Sequence, residues 1–488
     1  MKDGLTQIDL SHPTERNRAL NDQHLYRWLE QQGEAFGAPG LEPRWTSSVK
    51  DAIGTAYSAS SRVWFTCSHG ILNEIYHPTI DSAQVRDMEF LVTDGETFAH
   101  EEKRDLLTTF EYFHPEALGV RYVNRDPDGR YGLTKEIICD PHHSVVLTNV
   151  RLEGHPELLP RLRVYALLAP HLDGGGAGNT ARAVDIAGHK MLLGWKNRWS
   201  LAMGSSCGFA RVSCGFVGAS DGWRDVMEHF GMEWEFGSAT GGNLALIGQI
   251  NLEAAREDGA REFTVAIGIG EGHHTALQKT VSAMAMPFEQ NRERFIEQWR
   301  RAANPEWLAA KAGDGGKLMR ASHNVLLAHE DKTYSGAFVA SMSIPWGQVH
   351  GDDDLGGYHL VWTRDMVQTA TARPGLPCLH PAAQRWLCTE LLGRRPSLLG
   401  RGAIRRGGVS AHPRLAPLEG RQPGRDGRRS IRRTRRGISG APCAHYPSGT
   451  LGRECRIFTL HACYGDCRAH LRGRDCPRPR FNRAGRVS

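Results

Sequence analysis

Gly356-Gly357-Tyr358-His359-Leu360-Val361-Trp362-Thr363-Arg364-Asp365-Met366 is the stretch on which the interpretation of this chain turns. Two glycines lead into an aromatic-rich run that closes on an Arg-Asp pair at a predicted helix start. Aromatic rings stack on the apolar faces of sugar rings, and an adjacent Arg and Asp can grip vicinal hydroxyls through charge-assisted hydrogen bonds. Composition equally allows Tyr358 and Trp362 to be core residues, with Arg364 and Asp365 a charge pair at a helix N-terminus. The residues around the run are needed to choose.

Just beyond it the chain changes character. Of 488 residues with net charge +6, the part from Pro374 to Ser488 holds 24 arginines, no lysine and six acidic residues, net +18. The part from Met1 to Arg373 is therefore acidic, net −12. Seven of the 11 cysteines also lie in the tail, while Cys67, Cys139, Cys207 and Cys214 are scattered through the front without metal-ligand spacing. The length allows two or three domains. The N-terminus is polar with no apolar core of a secretory signal. No run approaches the roughly 18 apolar residues of a membrane span. A cytoplasmic protein with reduced thiols is expected, without cofactor and without a membrane partner.

Upstream of the run, apolar spacing at Leu25, Trp28 and Leu29 predicts a helix and then a Gly/Pro hinge, over residues 1–44. From 45 to 272 the pattern is that of short strands. Val63–Thr66, Glu89–Thr93, Gly119–Val123, Ser144–Leu152, Leu162–Leu168, Leu244–Ile250 and Glu262–Ile269 are mostly rich in Val, Ile, Leu, Phe and Tyr, punctuated by Gly, Asp, Asn and Pro. Many short strands with long connections predict a large antiparallel sandwich. From Thr275 to Ala303 the period turns helical, with Phe288, Phe295, Ile296 and Trp299 on one stripe. This segment, within 273–315, would link two domains. Lys317–His329 is a second predicted helix, and Arg364–Ala372 begins a third.

Other constellations are weaker. Asp352-Asp353-Asp354 could hold a hard cation but reads more simply as a solvated loop. His273-His274 has no partner at ligand spacing and is expected in a loop. Gly174-Gly175-Gly176-Ala177-Gly178 lacks the strand-then-helix setting of a phosphate cradle. Cys455, Cys463, Cys467 and Cys476 near His461 and His470 form no CxxC pair, so no metal site is expected.

The run from Tyr358 to Asp365 resembles the bacterial glucoamylase and glucodextranase family, glycoside hydrolase family 15. Phe338-Val339-Ala340-Ser341-Met342-Ser343-Ile344-Pro345-Trp346-Gly347 resembles what precedes it there. Gly54-Thr55-Ala56-Tyr57-Ser58, Val63-Trp64-Phe65-Thr66 and Gly70-Ile71-Leu72-Asn73-Glu74-Ile75-Tyr76 resemble parts of the family's N-terminal domain. The resemblance spans about Gly54 to Ala372. It implies a multi-domain α+β protein: a β-sandwich, a linker helix and, over 316–372, the opening of an (α/α)6 barrel. It also implies release of glucose from the non-reducing ends of α-glucans with inversion, with Tyr358, Trp362, Arg364 and Asp365 lining the pocket for the terminal glucose.

Inversion needs two carboxyl groups, one to protonate the leaving oxygen and one to activate water. The family places both glutamates well downstream of the Trp-Thr-Arg-Asp run, and neither is found in this chain, so no catalytic residue is assigned. After Ala372 the pattern stops. Arg, Gly, Pro and Ala dominate when GC-rich codons are read out of frame. Codons for His380–Pro396, read one nucleotide later, can spell TQRPSGGFAQNFWVDG. Those for Ala403–Gly420 can spell an apolar helix. Those for Gly449–Cys463 can spell ERWEENAGFSPSTL, which resembles the family segment bearing the general acid. A frameshift between about Ala372 and His380 is the expectation, leaving 373–488 an Arg-rich tail expected to be disordered and a chain without hydrolytic activity. Two alternatives are a sandwich that binds α-glucan without cleaving it, and a tail whose Arg432, Arg433, Arg435 and Arg436 attract nucleic acid phosphates. No specific nucleic acid partner is expected.

Overall fold

The computed structural model describes residues 26–302, 310–342, 359–362, 365, 366 and 369. Asp352–Asp354, the cysteines of the tail and residues 373–488 lie outside them.

Two antiparallel sheets stack face to face. The larger has 11 strands. Its main path runs Arg27–Trp28, Asn179–Ile186, His189–Lys196, Trp199–Ser205, Arg261–Glu271, Val145–Gly154, Tyr131–Cys139, Val120–Arg125 and Leu107–Tyr112. The smaller has eight strands, ordered Phe209–Phe216, Leu244–Ile250, Arg163–Pro170, Ala83–Thr93, Ile71–Tyr76, Trp64–Ser68 and Ala52–Thr55, with Ala99–Glu101 paired to Ala83–Thr93. The expected sandwich is therefore present, and each of the seven predicted strands overlaps an observed one. Tyr131–Cys139 shows why such segments form strands. Its residues alternate between buried and half-buried, the period-2 signature of a strand with one face on the core.

Burial on both faces extends toward one edge of the smaller sheet. Every residue of Trp64–Ser68 and Ile71–Tyr76 is buried, because helices and loops cover the face turned away from the larger sheet. A charge is enclosed as well. Lys135 is 1 % exposed and bonds to Glu102 at 2.7 Å and to the Gly70 carbonyl at 2.7 Å. Glu102 also accepts from Asn124 Nδ2 at 2.7 Å and from the Phe90 amide at 2.8 Å. A buried carboxylate is tolerable because partners surround it.

Among the described residues five α-helices accompany the sheets: α1 (Glu102–Asp105), α2 (Gly222–His229), α3 (His273–Met284), α4 (Phe288–Arg300) and α5 (Lys317–Ala328). α3 lies on the outer face of the larger sheet, where Ala276 and Leu277 pack with Val184, Leu193 and Ala202. Gly268 permits this approach: a Cβ there would sit 2.3 Å from Thr280 Oγ1 and 3.0 Å from the Ala276 carbonyl. The expected linker helix is two helices, broken before Pro287, whose ring cannot continue one. The predicted stripe of Phe288, Phe295, Ile296 and Trp299 is the buried face of α4.

Two expectations are corrected. Arg27–Trp28 is an edge strand paired with Asp185 and Val184, not part of a helix. The helix-like spacing of Leu25, Trp28 and Leu29 loses to the backbone pairing the sheet edge offers. His273 and His274 open α3 and do not lie in a loop; Tyr26 Oη approaches His273 Nδ1 at 3.3 Å, and the Trp195 ring lies 4.6 Å from that of His273. Cys67, Cys139, Cys207 and Cys214 are free thiols. Among the described residues no helix is long and apolar enough to cross a membrane.

Lys135→Met should lower unfolding free energy by about 3–5 kcal/mol, because Glu102 is left buried and uncompensated. The double variant Lys135→Met, Glu102→Gln should recover much of that loss. Urea unfolding of the two variants measures the difference.

Candidate functional site

A row of three residues crosses the first strands of the smaller sheet. Thr55 pairs with Trp64, and Trp64 pairs with Tyr76. Each anchors chain that follows the sandwich. The Thr55 carbonyl accepts from Trp299 Nε1 of α4 at 3.1 Å. Trp64 Nε1 donates to the Ala328 carbonyl at the end of α5 at 3.0 Å. Tyr76 Oη donates to the Met342 carbonyl at 2.9 Å, and its oxygen lies 3.2 Å from His359 Nε2. The buried polar ends of large aromatic side chains are thereby satisfied.

The turn after α5 adds two charged contacts. Asp331 caps its own turn, accepting from the amides of Thr333 and Tyr334, each at 2.7 Å, and reaches across to the Ile80 amide at 2.8 Å. Burial pushes its carboxyl above the usual range, against those amides. Lys332 donates to Thr55 Oγ1 at 2.5 Å and to the Ser61 carbonyl at 2.6 Å, with its ammonium 4.8 Å from the centre of the Trp64 ring. Burial lowers its pKa to about 7. His359 is driven down to about 4, again chiefly by burial, and sits neutral against Tyr76.

Of the four residues expected to line a sugar pocket, Trp362 and Asp365 are half-buried, while Tyr358 and Arg364 lie outside the described residues. The Trp362 carbonyl accepts from the Met366 amide at 2.8 Å, at the helix start predicted there. The Ala340 amide donates to the Leu360 carbonyl at 3.2 Å, so the two runs flanking residues 343–358 lie side by side. Sequence reasoning missed the anchors Tyr76, Asp331, Lys332 and His359. Their roles depend on contacts across more than 200 residues, and a single Asp or Lys in a polar turn carries no local signal. The glycine run at 174–178 leads from a short turn into the strand Asn179–Ile186, so no helix N-terminus follows it. Among the described residues no group of three or more His, Cys, Asp or Glu gathers as a metal site.

Residues 35–304 match the glucodextranase N domain, and residues 313–376 match the glycosyl hydrolases family 15. This chain belongs to glycoside hydrolase family 15. A glucoamylase from Clostridium sp. (strain G0005) is 32% identical over 338 residues, covering 69% of this chain and 47% of that one. The crystal structure of a bacterial glucoamylase complexed with acarbose superposes with a TM-score of 0.67 at 28% identity, over 75% of this chain and 53% of that one. The chain therefore spans about half the length of these relatives.

Lys332 generates a pH test. Its ordinary pKa is 10.5, so between about pH 7 and 10 the folded protein binds fewer protons than the unfolded chain. Stability contributed at this site accordingly rises with pH. Below about pH 7 both states are protonated and the full cost of burial remains. The stability difference between wild type and Lys332→Met should move in favour of wild type as pH rises from 7 to 10. Denaturant unfolding at several pH values measures it; a difference independent of pH contradicts the assignment.

Proposed function

We propose that this gene encodes a family 15 exo-hydrolase that releases glucose from the non-reducing ends of α-glucans with inversion, and that the present chain has lost that activity. In this account Tyr358, Trp362, Arg364 and Asp365 line the pocket for the terminal glucose. The aromatic pair stacks on the ring, and the Arg-Asp pair binds its hydroxyls. The two carboxyl groups that inversion requires, about 6.5–9.5 Å apart so that a water fits between base and sugar, belong to barrel segments that the arginine-rich tail replaces.

The observation that carries this reading is the place where the family match stops. It ends at residue 376, inside the window of about 372–380 where composition switches and the reading frame is inferred to slip. The same window separates the acidic front from a tail that holds 24 arginines and no lysine. The domain plan follows: sandwich over 45–272, linker over 273–315, the start of the barrel over 316–372. The four cysteines among the described residues are unpaired, which suits a cytoplasmic enzyme.

The purified 488-residue chain should release no glucose from maltooligosaccharides; release would refute the loss of activity. Genomic sequence across codons 365–390 should show a one-nucleotide slip, and the corrected gene should yield an enzyme that liberates β-glucose from maltooligosaccharides. An uninterrupted frame in fresh reads contradicts the frameshift, and α-glucose from the corrected enzyme contradicts inversion.

A further inference from the structure

The larger sheet ends on an open strand. Leu107–Tyr112 pairs with Val120–Arg125 in unbroken register, from Leu107 opposite Arg125 to Tyr112 opposite Val120, and closes the path on that side. Leu107 is 64% exposed and Phe110 46%. Natural sheets blunt such edges with short strands, bulges, charge or cover, and the other ends of these two sheets are treated in those ways. The far end of the larger sheet is made of the short strands Arg27–Trp28 and Ser238–Gly242. In the smaller sheet, Phe209–Phe216 has a register shift between Phe209 and Arg211, and its Cys214 amide donates to the Phe236 carbonyl. Ala52–Thr55 is buried throughout, and Tyr112 Oη accepts from the Ile53 amide and donates to the Ile53 carbonyl, each at 3.2 Å. Leu107–Tyr112 has no bulge, no proline and no lysine.

The ladder shows which backbone groups of this strand are open. The Phe113 amide donates to the Gly119 carbonyl at 3.1 Å. In an antiparallel pair every second residue pair is hydrogen-bonded, so Leu107, Thr109 and Glu111 turn their backbone polar groups toward Val120–Arg125. Thr108, Phe110 and Tyr112 turn theirs out of the sheet. The side chains of these three stand on the inner face, opposite buried Asn124, Tyr122 and Val120. Among the described residues no backbone donor or acceptor meets their outward groups.

We propose that this edge joins two copies of the chain, strand to strand and antiparallel, about a two-fold axis at Phe110. A second copy fits better than an unrelated extended segment because the strand complements itself. Outward groups recur every second residue, so the register moves in steps of two. With Phe110 opposite Phe110, Thr108 faces Tyr112, Leu107 faces Phe113, and the strand's one charge, Glu111, faces Thr109. A step one way sets Leu107 against Glu111. A step the other way sets Glu111 against Glu111, and like charges directly opposite destabilise a pair. The favoured register is isologous, each contact being made twice. It supplies about six main-chain hydrogen bonds, as roughly 600–1,200 Å2 of interface does. That is at the small end for a stable complex, so the dimer forms as concentration rises.

Sedimentation velocity of the full chain over a range of concentrations tests it. The wild type should pass from monomer to dimer. Phe110→Lys sets lysine against lysine at the axis and should remain monomeric over the same range. Thr109→Glu brings a second carboxylate to Glu111 of the other copy and should weaken association at least ten-fold, whereas Thr109→Lys should leave it as tight or tighter. Both positions are exposed, so the substitutions leave the core intact. Leu318→Lys, at an exposed apolar residue of α5, should associate like wild type. All variants carry the same arginine-rich tail, so association through the tail would not respond to residues 109 and 110. A wild type that stays monomeric, association unchanged by Phe110→Lys, or equal effects of Thr109→Glu and Thr109→Lys would overturn the proposal.

Discussion

Thr55, Trp64 and Tyr76 stand in one row across three strands, and that row holds α4, the end of α5 and Met342. Each presents a polar group inside an apolar layer, where an unpaired donor or acceptor costs about 1–3 kcal/mol. The only stable outcome is for other chain to come and satisfy them. α4 does so through Trp299, the end of α5 through the Ala328 carbonyl, and the segment beyond it through the Met342 carbonyl. Large aromatic bodies supply the burial, and their single polar atoms supply the direction. The sandwich therefore acts as a template on which the chain that follows it, up to Met342, is laid.

This arrangement gives the described residues beyond the sandwich their order. The anchors take their partners from the sandwich and from their own turn. Asp331 closes its own turn before reaching Ile80, and Lys332 finds its acceptors on the first strands. The arrangement has a cost at Lys332, whose ammonium is enclosed by a hydroxyl, a carbonyl and a Trp face, with no salt-bridge partner among the described residues. Where the sandwich buries a lysine in its own core, at Lys135, it provides Glu102 directly. The contrast places the weaker, pH-sensitive contact at the junction rather than in the core.

Much of the sandwich was legible because the strands of the inner layers concentrate β-branched and aromatic residues between turn formers. Leu244–Ile250 was bounded residue for residue, and the Phe288–Trp299 stripe identified the buried face of α4. The meander from Asn179 to Ser205 was not legible. Its three strands are dilute in such residues and interrupted by Gly, Lys and Arg, and they hold because neighbours on both sides complete their ladders. Arg27–Trp28 misled for the opposite reason: three apolar residues at helical spacing are weaker than an open sheet edge. At the candidate site, the glycine-aromatic-Arg-Asp run could be found by inspection. The residues that hold it in position, Tyr76 and His359, lie 283 positions apart and could be joined only by the fold.

The direct test of the template is hydrogen–deuterium exchange of the intact chain, read on peptides covering residues 326–342. The account predicts slow exchange at Val339 and Ala340, whose amides donate to the His329 and Leu360 carbonyls, and marked acceleration in Trp64→Phe and Tyr76→Phe while the strands of the larger sheet stay protected. Exchange of 326–342 at the rate of an unstructured chain in the wild type, or protection there unaltered by both substitutions, would contradict it.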